Sequence, residues 1–248
     1  MVGTGSRHLL RARARVELWV PVGNLWIPVH QIRAGAGDYY VLERHRAGHT
    51  LYPHEIAHEA NIRALSQLGV RYVIGICAVG SLKRSLKPGN IVLVHDCVGP
   101  RDKPMPSPLG TATGHIEHLD MSRPYCETIR TRLRVWLGVN ATFRDAGVYM
   151  EVTGPRYETP AEVALYARHG ADVVGMTGFS EAVAARQLGV CYACLACVTN
   201  LGAGLESETI AHDQVAGTMH EILDGVQPIL EAAITAGAWP VSCAECSP

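Results

Sequence analysis

Long apolar runs are missing from this chain, and no stretch reaches the roughly 20 apolar residues that a membrane-crossing helix needs. The longest uncharged segment, Gln187 to Leu205, is broken by Gln, Thr, Asn and several Gly, so it reads as a buried strand running into a loop. A secretory leader is not expected either, because the Arg-rich start has no apolar stretch behind it. No sign of charge dominates: 22 basic residues face 23 acidic ones, for a formal net charge of −1. Only the run Arg7 to Arg15 hints at a basic stripe, so neither nucleic acid nor a membrane is an expected partner. Repeats, low-complexity tracts and linkers are also lacking, which leaves one domain, placed over 1–236, with 237–248 as a loose tail.

Cysteine is too sparse for a disulfide scaffold, at eight in 248 residues. Cys77, Cys97, Cys191, Cys194 and Cys197 sit in or beside apolar runs, where the thiol acts as a small hydrophobe. Cys191, Cys194 and Cys197 are spaced like part of a metal site, but in a strand the middle one faces away from the other two. No second Cys pair or His pair follows at zinc-finger spacing, so no metal is expected. Cys243 and Cys246 form a lone Cys-x-x-Cys outside any βαβ context and are assigned to the tail.

What is present suits a large core: 48% of the residues are hydrophobic and 18% charged. Strands are predicted at Tyr39 to Leu42, Tyr72 to Ala78, Ile91 to Val94, Gly147 to Val152, Val173 to Met176 and Val190 to Thr199. Helices are predicted at Pro53 to Leu68, Arg123 to Trp136, Thr159 to Arg168, Ser180 to Gln187 and His212 to Ala233. Thr159, Pro160 and Glu162 form a capping box, and Gly69 and the turn Lys87 to Asn90 punctuate the chain. Residues 99–114 are rich in Pro and Gly and read as a loop that serves as a lid. The alternation predicts a single α/β domain with a central mixed, largely parallel sheet flanked by helices.

Ligands of such sheets bind in the loops after the strands. Thr4, Arg44, His45 and Thr177 stand in those loops among glycines and offer a guanidinium fork, an imidazole and two hydroxyls, a cradle suited to phosphate. Glu158 and Asn200 pair an acceptor with an amide that both donates and accepts, as needed to read a heterocycle edge carrying N–H and C=O groups. Tyr157 supplies a face for ring stacking. A dinucleotide-binding reading of Gly3-Thr4-Gly5-Ser6 fails, because His8 stands at the third glycine position and no strand precedes the turn.

At these positions the chain resembles the purine nucleoside phosphorylase and methylthioadenosine phosphorylase family. The resemblance runs from about Gly3 to Val226. It is strongest over Gly154-Pro155-Arg156-Tyr157-Glu158-Thr159-Pro160-Ala161-Glu162, Val174-Gly175-Met176-Thr177 and Val198-Thr199-Asn200-Leu201-Gly202-Ala203-Gly204. Arg44-His45 through Asn61, and Ala78 to Leu82, look like the methylthioadenosine branch. The resemblance implies the nucleoside phosphorylase type of fold and phosphorolysis of 6-oxopurine nucleosides (inosine, guanosine or 5′-methylthioinosine) to free base and sugar 1-phosphate. It implies phosphate contacts from Thr4, Arg44, His45, Ala78 and Thr177. Met176 and His212 would contact the ribose, and Tyr157, Glu158 and Asn200 the base. Asn200 and His45 take the catalytic roles. Inorganic phosphate is the co-substrate, with no other cofactor. A cytoplasmic homotrimer or homohexamer is expected, with His58 and the 99–114 loop near a neighbouring subunit. The alternatives are adenine nucleosides such as methylthioadenosine, or a phosphate-independent or biosynthetic nucleoside-binding homologue. Three departures bear on phosphate more than on base choice: only Met1-Val2 stands in for the first strand, Cys77 replaces a Thr, and Gly178-Phe179-Ser180 replaces a segment with Pro before Glu181.

Overall fold

In a computed structural model, which describes residues 1–4, 15–34, 37–100, 118–138, 142–206, 210–240, 243 and 246, two sheets and five α-helices form the molecule. A three-stranded antiparallel sheet consists of β1 (Arg15–Val22), β2 (Leu25–Ala34) and β3 (Gly37–Val41). The main sheet contains β4 (Tyr72–Ser81), β5 (Ile91–Leu93), β6 (Asp96–Val98), β7 (Phe143–Arg144), β8 (Val148–Glu151), β9 (Val173–Gly175) and β10 (Cys191–Leu201). Its order is β6-β8-β9-β4-β10-β5-β7, parallel except at β9–β4 and β10–β5. This is the mixed, largely parallel sheet that the sequence predicts.

β10 is buried along almost its whole length, as a strand covered on both faces must be. Tyr192, Cys194, Ala196 and Val198 face one core layer, and Cys191, Ala193, Leu195 and Cys197 face the other. The first layer is closed by α1 (His58–Gln67) and α4 (Gly178–Gln187). The second is closed by α2 (Glu127–Leu137) and α5 (His212–Thr235). A further helix, α3 (Pro160–Arg168), starts on Thr159 with the predicted capping box in place. No helix among the described residues is long and apolar enough to cross a membrane.

The predicted helix over Pro53 to Leu68 is split. Pro53–Glu55 is a single 3₁₀ turn closed by the Glu55 carboxylate on the Tyr52 N–H at 2.8 Å, and Ile56 is extended before α1 begins at His58. The second predicted helix starts four residues late, past Pro124, which biases Arg123 away from helical conformation. His58 is buried within this chain and sits where its charge would act on Glu181. The expected tail is packed where it is described. Trp239 lies against Tyr72 and under Arg132, and Cys243 and Cys246 are buried. Most of the predicted 99–114 lid and most of the Arg7 to Arg15 run lie outside the described residues.

Candidate active site

The central pair β4–β10 ends in a bulge that shapes the site. Val198 opposes Val79 and Asn200 opposes Gly80, so Thr199 is one residue in excess. The extra residue re-aims the strand and brings Asn200, not Thr199, opposite Gly80 at the sheet end. Gly80 allows the approach, since a Cβ there would lie 3.2 Å from Asn200 Nδ2. Asn200 Oδ1 accepts from the Thr199 hydroxyl at 3.0 Å, and Nδ2 donates to the Leu201 carbonyl at 3.0 Å. One N–H and one lone pair of the amide stay open to the cavity.

That cavity has a volume of about 460 Å³, and all ten predicted site residues line it: Thr4, Arg44, His45, Ala78, Tyr157, Glu158, Met176, Thr177, Asn200 and His212. A second cleft of about 380 Å³ lies between Tyr39, Tyr72, Leu230 and Trp239, and none of the ten borders it.

Arg44 is held differently from the open fork that its sequence context suggests. Its guanidinium makes a buried two-point ion pair with Glu181, through Nε on one oxygen and Nη2 on the other. Nη1 donates to the Ile76 carbonyl at 2.8 Å, and Nη2 also reaches the Met1 carbonyl at 3.4 Å. Of five N–H groups, one on Nη1 remains. It lies beside Gly3, where a Cβ would come within 2.5 Å of Nη1. The cause is Glu181: a carboxylate with no solvent exposure must be paired, and Arg44 is the cation within reach. Burial, the largest single influence, would lift the Glu181 carboxyl, but the Arg44 charge and hydrogen bond, the His58 charge and the Tyr192 hydroxyl together hold the group below its ordinary value. Tyr192 adds an O–H donor at 2.6 Å.

His45 points Nδ1 at the Leu51 carbonyl, 2.8 Å away. Burial pushes its pKa down to about 4. His49 stacks on it with centroids 4.1 Å apart, and His212 lies 5.9 Å beyond His49, so three imidazoles run along one wall. Thr177 precedes α4, and the N–H groups of Thr177 and Gly178 both donate to the Tyr149 hydroxyl, at 3.3 and 3.2 Å. Cys77 is not on the cavity lining; its sulfur lies behind Thr177, 3.6 Å from Oγ1.

Glu158 is buried, which raises its carboxyl pKa, and Glu162 adds to the rise. The loop that carries it is fixed by Arg156, which grips Glu162 at 2.8 and 2.7 Å. Met176 packs against Gly154, whose φ of +65° and missing Cβ leave room for the sulfur. Tyr157 and His212 meet across 3.3 Å at the mouth. The sequence reading gave Glu181 no role, although an acid in an otherwise apolar helix face is a usable signal, and it missed His49 as a lining residue.

A family model described as the phosphorylase superfamily matches residues 26–235. A probable S-methyl-5′-thioinosine phosphorylase of Methanothermobacter thermautotrophicus is 42% identical over 193 residues, covering 78% of this chain and 66% of that protein. One from Methanocaldococcus jannaschii is 37% identical over 241 residues, covering 97% and 93%. A 6-oxopurine nucleoside phosphorylase of Pyrococcus furiosus is 36% identical over 220 residues, covering 86% and 82%. Among solved structures, methylthioadenosine phosphorylase from Schistosoma mansoni in complex with adenine superposes with a TM-score of 0.84 at 25% identity, covering 96% of this chain and 91% of that one.

Proposed function

The chain belongs to the phosphorylase superfamily, and on that premise we propose that it cleaves 6-oxopurine nucleosides with inorganic phosphate, giving the free base and a sugar 1-phosphate. The observation that carries this reading is the lining of a single cavity, which brings Arg44, His45 and Thr177 together with Glu158 and Asn200. The names of relatives 36 to 42% identical support the 6-oxopurine choice.

In this reading a phosphate oxygen forms a bond to C1′ while the C1′–N9 bond breaks. The bonding pair leaves with the purine, and the sugar passes through an oxocarbenium-like state. As the pair leaves with the purine, N7 takes a proton from solvent; Asn200 accepts from the N7–H so formed and donates to O6, where negative charge develops. Glu158 accepts from N1–H, a proton that the 6-amino bases lack. His45, the last free Arg44 N–H, Thr4, Thr177 and the Ala78 backbone hold the phosphate. Met176 packs under the ribose. The reaction asks for no metal or organic cofactor. His212, braced by Tyr157, faces the 5′ end of the sugar and favours a hydroxyl there, which comparison of inosine with 5′-methylthioinosine measures.

The mouth carries Tyr52, 59% exposed, and His212, a rim that suits closure by a neighbouring subunit in a homotrimer or homohexamer. Eight unbridged cysteines suit a reducing cytoplasm. The deciding experiment incubates the protein with inosine, guanosine, methylthioinosine, adenosine and methylthioadenosine, with and without phosphate, and separates the bases by chromatography. Base release from the oxopurine nucleosides only with phosphate is expected. Equal release without phosphate overturns the reading.

A further inference from the structure

We propose that Cys126, Cys191, Cys243 and Cys246 form a structural zinc site that clasps the C-terminal segment to the body of the domain. The four sulfur atoms come from three separate stretches of chain, and all lie within 4.8 Å of one another. Cys126 immediately precedes α2, Cys191 opens β10, and Cys243 and Cys246 follow α5. All four are buried and none is bridged.

The spacing is close enough to contract onto a tetrahedron around an ion. With zinc–sulfur bonds of about 2.3 Å, the edge of a tetrathiolate tetrahedron is about 3.8 Å. Cys126 and Cys243 are 3.7 Å apart, whereas a disulfide would hold its sulfurs at about 2.05 Å. Four thiols are also a complete ligand set, with no position left for water or substrate, which marks a structural rather than a catalytic centre.

The surroundings are built for it. The Thr128 hydroxyl lies 3.6 Å from the Cys243 sulfur and can donate to a thiolate there. The first turn of α2 presents its positive end next to Cys126. The chain is led to the site by fixed contacts: the Tyr72 hydroxyl donates to the Pro240 carbonyl at 2.8 Å, and Arg132 lies 4.3 Å over the Trp239 ring. The β10 spacing on its own argued against a metal because it grouped the wrong cysteines. Cys194 faces the opposite layer, 3.8 Å from Cys77, and only Cys191 of that trio joins the cluster.

Cys191 and Asn200 stand nine residues apart on one strand, about 30 Å at the usual rise per residue. The clasp is therefore far from the reacting atoms and acts on stability. The test purifies the full chain under reducing conditions, loads it with zinc, removes excess and measures metal by mass spectrometry. About one zinc per chain is expected, retained in Cys194→Ser and lost in the double variant Cys243→Ser/Cys246→Ser. Cobalt loaded in place of zinc should give the visible bands of a tetrahedral tetrathiolate, a readout on the unaltered protein that stands even if the double variant folds poorly. Chelation should lower the melting temperature and leave nucleoside cleavage well below it unchanged. A chain that binds no zinc after loading, a cobalt spectrum without thiolate character, or a Cys126–Cys243 or Cys191–Cys246 disulfide in the reduced preparation overturns the proposal.

Discussion

The imidazole of His45 and the carbonyl of Leu51 are joined by a hydrogen bond of 2.8 Å, and a carbonyl can only accept, so Nδ1 carries the proton. Nε2 of the neutral ring is then a lone-pair acceptor, 3.4 Å from where a Cβ on Gly3 would sit. It is suited to take a hydrogen bond from a protonated oxygen of phosphate. The neutral form persists because burial holds the ring's pKa near 4.

That depressed value makes His45 a source of acid sensitivity. Unfolded, the ring takes up its proton near its usual value of about 6.5. Folded, it does so near 4. Between the two the unfolded chain binds more protons, so this part of the stability is full above about pH 6.5 and is lost as pH falls towards 4. Urea midpoints measured from pH 8 to pH 4 should fall more steeply for the native protein than for His45→Gln. Identical slopes would remove His45 as the cause.

The Arg44–Glu181 pair gives a second expectation. Glu181→Gln keeps the shape but leaves a guanidinium with a side chain 1% exposed beside a neutral partner. Removing one member of such a pair costs about 3–5 kcal/mol. The variant should lose stability on that scale in urea unfolding, and its KM for phosphate should rise about tenfold or more while the KM for nucleoside changes less. Arg44→Lys should show the same two losses, since an ammonium cannot span both oxygens of Glu181.

Much of this architecture is written in local pattern. The apolar runs of β4 and β10, the capping box at Thr159 and the glycines after helices are short-range signals, and each appears where the pattern puts it. The β1–β2 hairpin escaped because Pro21 and Pro28 read against strand, although each sits across from a tryptophan in a regular ladder. The polar residues that line the cavity were legible because glycine-flanked polar residues at sheet ends have few structural uses, whereas Ala78, Met176 and His212 came only from the family resemblance. The hidden parts are long-range. Glu181 is 137 residues from Arg44, and Cys126 is 117 from Cys243, pairings that no spacing rule encodes.

Gly154 yields a prediction about the sugar. Its φ of +65° is unfavourable for other residues, and a Cβ would come within 2.4 Å of the Met176 sulfur. Gly154→Ala should push Met176 out of place and raise the KM for nucleoside severalfold, with the KM for phosphate moving less. An unaltered nucleoside KM would mean that Met176 does not support the ribose.

In the proposed reaction base choice rests on Asn200 and Glu158, which line the cavity together. A 6-oxopurine presents an acceptor at O6 and a donor at N1, which match the open N–H of Asn200 and the carboxylate of Glu158. Adenine reverses the polarity at both places. Each buried mismatch costs about 1–3 kcal/mol, so kcat/KM for inosine should exceed that for adenosine by about 10² to 10⁴. Asn200→Asp should erode the ratio, because a carboxyl group accepts from a 6-amino group and can share a proton with N7. Glu158→Gln should slow inosine cleavage without creating good adenosine turnover, since Glu158 addresses N1 alone. The raised pKa of Glu158 sharpens the comparison: burial makes its negative form costly, and a bound N1–H offsets that cost only when the base is the oxo form. Steady-state kinetics of both nucleosides with the three proteins decides it. Equal kcat/KM for inosine and adenosine in the native protein would show that this pair does not read the base.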